Sequence, residues 1–147
     1  SDMRLHALMT QLTSDACTLT LSTIRNYDNI TAQAQDEDQA TLCKKIKKSD
    51  GEVDFEDANL IYNKYRAFEG WPGIFSANGT KLDGVEIIDR TSHNKALEIL
   101  SFDEDGVVIG CSRGALKIAS LQPASKKAMA AKAYCVGRGL KIGDTLF

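Results

Sequence analysis

The chain has 147 residues and a mass of 16.0 kDa, enough for one domain with a real core and too short for two full ones. Hydrophobic residues at 43% and charged residues at 26% sit near globular averages, which excludes collagen-like and strongly disordered classes. Net charge is −2 with a pI near 5.7, so no global positive field announces a nucleic-acid partner, although a local basic face fits inside a neutral total. No apolar run approaches the roughly 18 residues of a membrane helix, and no basic-then-apolar leader opens the chain, so a cytoplasmic protein is expected. Cys17, Cys43, Cys111 and Cys135 form no C-x-x-C pair, which argues for free, mostly structural thiols over a zinc knuckle or a disulfide framework.

The charge is unevenly spread. Residues 1–40 hold two basic and six acidic groups, a net −4, whereas residues 41–147 net +2. Ser1-Asp2-Met3 reads as a tag scar or a cut inside a longer chain. Leu5, Leu8, Met9 and Leu12 recur at helical spacing, Thr13-Ser14-Asp15 interrupts, and Ala16, Leu19 and Ile24 continue. With Ser14 as N-cap, two short helices are expected, needing a further surface to cover their apolar faces. Residues 27–40 are polar and aperiodic, a linker. Thr41–Ile46 reads as extended, followed by a turn at Ser49-Asp50-Gly51. A helix over 54–68 follows, with Asp54 or Glu56 favouring its start and Ala58, Ile61, Tyr62, Tyr65 and Phe68 along one stripe, until Trp71-Pro72-Gly73 stops it. That turn is expected to close a barrel against the helix.

Beyond residue 73 the period changes to two. Ile74–Ala77, Asn78-Gly79 and Thr80–Leu82 predict a type I′ hairpin. Val85–Ile88, Ala96–Phe102, Val107–Cys111 and Ala115–Leu121 are further strand candidates. A helix over 125–133 capped by Ser125 and a strand-like tail from Leu140 to Phe147 complete the chain. The pattern predicts a mainly β fold with helices: a five- to six-stranded antiparallel, oligonucleotide-binding-type Greek-key barrel after an N-terminal helical segment and linker.

Chemistry is sparse. His6 and His93 lie in no nucleophile or metal motif, Asp103-Glu104-Asp105 lacks the remainder of a calcium loop, and Gly137-Arg138-Gly139 has the spacing of neither phosphate-binding fingerprint. These read as surface or packing residues, a solvated turn and turn-forming glycines. The basic clusters are more informative: Lys44, Lys45, Lys47 and Lys48, then Lys126, Lys127, Lys132, Arg138 and Lys141 against Asp144, a net +4 over residues 126–147. Such clusters are either an ordinary solvated face or a phosphate-contacting surface with salt-dependent affinity.

Three strings, in order, resemble the C-terminal domain of the methionyl-tRNA formyltransferase family. They are Gln35-Asp36-Glu37 through Lys45-Ile46, Arg66-Ala67-Phe68 to Trp71-Pro72-Gly73, and Gly114-Ala115-Leu116 with Ser120-Leu121-Gln122-Pro123-Ala124-Ser125-Lys126-Lys127-Ala128-Met129. The resemblance spans roughly residues 35–147. It implies residues 1–27 as a helical remnant of the catalytic formyltransferase domain, 28–40 as linker and 41–147 as the barrel domain. It further implies that the barrel helps hold initiator methionyl-tRNA while a separate Rossmann-like domain uses 10-formyltetrahydrofolate as formyl donor. The family's catalytic Asn, His and Asp, with their Ser-Leu-Leu-Pro string, have no counterpart in this sequence, so no catalytic, cofactor or metal residue is expected here and the chain alone is expected to be inactive.

By family position, Lys126, Lys127 and Lys45, with Arg66 second, are the expected tRNA contacts. Glu69-Gly70 replaces the usual Asn-Pro, and Ser125 stands where glycine is common. Related formyltransferases acting on sugar nucleotides or folate share this domain and are the alternative parentage. A self-sufficient enzyme and a stand-alone single-strand nucleic-acid-binding barrel are the readings of other classes; the latter would bind through aromatic stacking.

Overall fold

The computed structural model describes residues 3–147; the start at Ser1-Asp2 read above as a scar or cut lies outside them. It divides into two units, Ser1–Ile46 and Lys47–Phe147.

The first unit is built on one continuous helix, α1 (Leu5–Arg25), where two were expected. Thr13-Ser14 does not interrupt it because helix hydroxyls can bond backward: Thr10, Thr13 and Thr18 donate to the carbonyls of His6, Met9 and Ser14. Leu8, Met9, Leu12 and Leu19 remain exposed. Two 3₁₀ turns, Tyr27–Asn29 and Glu37–Gln39, punctuate the polar stretch, the second capped by Asp36 accepting from Asp38 N–H. Residues 41–46 contain no strand.

The second unit carries seven strands: β1 (Glu52–Val53), β2 (Ile74–Ser76), β3 (Lys81–Asp89), β4 (Ile99–Phe102), β5 (Val107–Gly110), β6 (Ala115–Gln122) and β7 (Met129–Ala130). Their order is β1-β2-β3-β6-β5-β4 with β7 on β6, so the ladder is open. The β3-β6-β5-β4 portion is an antiparallel Greek key, as expected, and only β1 runs parallel to its neighbour. The long β6 organises the sheet. One edge pairs with β3 along most of its length, while the other takes β5 over residues 115–118 and β7 over 120–121. The tail, expected as a strand, makes only a bridge, Glu98 to Thr145, yet shields the β4 edge through Ile99 N–H to Asp144 O and Leu146 N–H to Leu97 O.

Helix α2 (Ala58–Ala67) is shorter than expected because Asp57, rather than Asp54 or Glu56, is its cap, accepting from Asn59 N–H at 2.7 Å. Asp54 instead accepts from Glu56 N–H in a preceding turn. The stripe holds: Ala58 and Ile61 are buried, with Tyr62, Tyr65 and Phe68 packed against the core. Helix α3 is Ala131–Gly137, not 125–133, since residues 129–130 are taken into β7 and Ser125 sits in a left-handed turn at φ +61°. The hairpin also differs. Its loop is three residues, 77–79, closed by Ser76 N–H to Thr80 O, and only Gly79 is left-handed, so the type I′ form expected is not adopted. Trp71 is 59% exposed and does not plug the barrel; Pro72 beside it is the buried member of the turn. The core comprises Ile61, Ile74, Ile99, Val107, Ile109, Leu116, Ile118 and Leu121, joined by Cys111 and Cys135.

Candidate nucleic-acid interface

Where β6 ends, the chain turns through Pro123–Ala128, returns as β7 and enters α3. Three bonds fix this excursion: Lys126 N–H to Pro123 O, Gln122 Nε2 to Lys126 O, and Ser120 Oγ to Met129 O at 3.1 Å. Their effect is to hold Lys126 and Lys127 at a pinned turn with exposed side chains; no ion pair engages either among the described residues.

Helix α3 ends in a Schellman motif. Leu140 N–H reaches Cys135 O and Gly139 N–H reaches Val136 O, with Gly139 at φ +69°, a backbone state that glycine adopts without a Cβ penalty. Gly139 is thus a turn former as read from sequence. Arg138, the cap residue, stacks its guanidinium on the ring of Tyr134, 4.4 Å from the centroid. Tyr134 is itself 5% exposed and braced edge-on by Phe147 at 6.3 Å. Between this stack and the lysine turn lies a cleft of about 200 Å³, bordered by Pro123, Lys126, Met129 and Arg138. Lys132 is committed elsewhere, donating to Asp103 O, and Asp144 accepts from Lys141 N–H.

The other expected contacts are placed differently. Arg66, on the last turn of α2, donates from Nη2 to Asn63 Oδ1 at 2.7 Å, lies over Tyr62, and borders no part of that cleft. Lys45 belongs to the first unit, in the exposed stretch without regular structure. Sequence reasoning counted Arg138 among the basic residues without assigning it a site, and missed Tyr134. The usable signal was their i, i+4 spacing on a helix ending in glycine.

Titration behaviour elsewhere is structural. Backbone N–H donors from Asn59 and from Ser92 with Thr91 hold the carboxyls of Asp57 and Asp89 below their usual range. Glu86 and Asp105 flank Lys117 Nζ at 2.9 and 3.4 Å, with the Glu86 bond the main cause of its raised pKa. Burial pushes the Cys111 thiol to about 12 and Cys135 upward, so neither is a ready nucleophile. His93 is exposed, with Nδ1 3.1 Å from Ser112 O. No group of three or more His, Cys, Asp or Glu suited to a metal occurs among the described residues, and no described helix is long and apolar enough to cross a membrane.

Together these features define a small, open, barrel-like Greek-key domain with a basic turn-and-helix face. The chain belongs to the formyl transferase C-terminal domain family, whose description matches residues 45–139. Its relatives include a methionyl-tRNA formyltransferase of Sulfurovum sp., 69% identical over 99% of this chain and 48% of that protein. The methionyl-tRNA formyltransferases of Sulfurimonas denitrificans and Helicobacter pylori are 41% and 46% identical, over 99% and 97% of this chain and 48% and 47% of theirs. The chain therefore spans about half the length of these curated relatives. Among solved structures, a HypX variant from Aquifex aeolicus shares the fold at TM-score 0.67 and 19% identity, over 97% of this chain and 28% of that one. HypX in complex with tetrahydrofolic acid gives a TM-score of 0.65 at 19% identity, over 96% and 26%.

Proposed function

We propose that this chain is the C-terminal, tRNA-docking part of a methionyl-tRNA formyltransferase. The full protein transfers a formyl group from 10-formyltetrahydrofolate to the amine of initiator methionyl-tRNA. The observation that carries the reading is 69% identity across 99% of the chain to a protein of that name. In this reading residues 1–27 close the catalytic domain, 28–40 link, and 41–147 form the docking domain. Lys126 and Lys127 contact tRNA phosphate from their pinned turn, and Lys45 and Arg66 add contacts. Such contacts position the acceptor end without reading bases. The catalytic Rossmann-like domain supplies the base for the methionine amine and the stabilisation of the tetrahedral oxyanion; no residue of this chain is given either role. A sugar-nucleotide parent is disfavoured by the names of the relatives.

The test is a titration of initiator methionyl-tRNA with the full-length enzyme across a KCl series. Each phosphate that a lysine or arginine neutralises should steepen the fall of log K with log salt by about 0.7–0.9. An affinity indifferent to salt, or no binding, would refute the docking role.

A further inference from the structure

The cleft beside the lysine turn carries a more specific assignment, one that rests on the tRNA-docking reading above. We infer that Arg138, held over the ring of Tyr134, is a phosphodiester-binding residue of the RNA interface, acting with Lys126 at the same cleft. Helix-end carbonyls do not require this side chain, because the Schellman bonds from Gly139 and Leu140 already satisfy them. No carboxylate is paired with it among the described residues. Its guanidinium instead lies over a ring that is buried and braced by Phe147, so its position is restricted before a ligand arrives. A planar fork held there suits two oxygens of one phosphodiester, whereas Lys126, lining the same roughly 200 Å³ cleft, offers a point charge on a flexible stem. Arg138 thus sets the register in which the backbone lies, and the lysines add affinity.

The experiment compares R138A, R138K and the double variant K126A/K127A in the full-length enzyme, by tRNA titration across a KCl series. R138A should lower the salt slope by about 0.7–0.9, the share of a single phosphate. R138K keeps the charge but loses the stacked fork. It should retain the wild-type slope while binding about threefold to tenfold more weakly at every salt concentration. Thermal melts of each variant show whether the fold is intact; R138K preserves charge and bulk, so it stays informative if R138A unfolds. Wild-type slope and affinity in R138A would overturn the assignment, and so would R138K indistinguishable from wild type. A flattened slope in K126A/K127A alongside an unaltered R138A removes Arg138 only. Wild-type enzyme without salt-dependent binding removes the docking reading as well. To separate an RNA-backbone site from a free-phosphate site, inorganic phosphate is added as competitor. Displacement of tRNA no greater than that by KCl of equal ionic strength supports the backbone assignment, and displacement beyond it at millimolar phosphate counts against it.

Discussion

Replacing Gly84 by alanine should destabilise the second unit more than its surface-proximal position suggests. Gly84 lies within β3 at φ +62°, between the Asp83–Ser120 and Val85–Ile118 pairs. A Cβ built there would stand 2.6 Å from the Ala119 Cβ on β6. Two costs combine: about 1–2 kcal/mol for a left-handed residue with a Cβ, and roughly 1–3 kcal/mol for overpacking, offset by about 0.4–1 kcal/mol from a less flexible unfolded chain. The net is about 1–4.5 kcal/mol. With a urea m-value near the middle of the usual range of about 1–3 kcal/mol/M, the midpoint should fall by roughly 0.5–2 M. A double-mutant cycle with Ala119→Gly separates the two costs, because removing the opposing methyl relieves the close approach and leaves the dihedral penalty. Recovery of about half the loss is expected. A midpoint shift below about 0.3 M, or no coupling in the cycle, would refute the reasoning from close approach.

The remaining expectations concern charge, thiols and one turn. Lys126→Ala with Lys127→Ala should flatten the tRNA salt slope by about 1.4–1.8 while leaving unfolding cooperative, and an unaltered slope removes both from the interface. Thiol titration of native protein should find Cys17 and Cys43 reacting quickly and Cys111 and Cys135 only on unfolding, since the first two are exposed and the others buried; four fast thiols would contradict the packing. Because the folded pKa of Cys111 lies above its ordinary 9.0, at about 12, the unfolded chain releases its proton first. Its stabilisation is therefore complete below pH 9 and lost as pH climbs toward 12, and Cys111→Ala should shrink that alkaline loss in denaturant midpoints. Ser125→Gly should raise stability by about 0.5–1 kcal/mol, because Ser125 carries a φ of +61°. A lowered melting temperature would show that the serine side chain contributes more than its backbone costs.

What was legible in the sequence followed from periodicity and side-chain type. The β3 and β6 segments emerge from alternation and the α2 stripe from i, i+3, i+4 spacing, because burial on one face leaves that trace whatever surrounds it; β5 was found as a strand, but all four of its residues are buried, so the half-buried alternation expected of it does not hold. The misplaced elements are those decided by a single local bond or a distant partner. The break expected with Ser14 as cap is absent, and the neighbouring hydroxyls of Thr13 and Thr18 bond back along α1 instead. The helix start at Ser125 was lost to β7, whose pairing with Ser120 and Leu121 is visible only once β6 is in place. The two-residue strand β1 is too short to alternate.

Backbone state is the least legible of all. Phe55 and Leu97, bulky residues that disfavour positive φ, adopt φ values of +62° and +67°. Each is locked by ladders to remote segments: Phe55 O accepts from Ser112 N–H, and Leu97 binds Gly110 O and Leu146 N–H. Tertiary pairing overrides local preference at both positions, and they border the same largely apolar cleft with Val53, Ser76 and Phe147. The proposed interface divides along the same line. The paired lysines are a string, readable without a structure, whereas the Arg138–Tyr134 stack depends on where α3 ends and on Phe147 bracing the ring. A property that requires three segments to meet leaves little mark on any one of them, which is why the charge was foreseen and the placement of the guanidinium over Tyr134 was not.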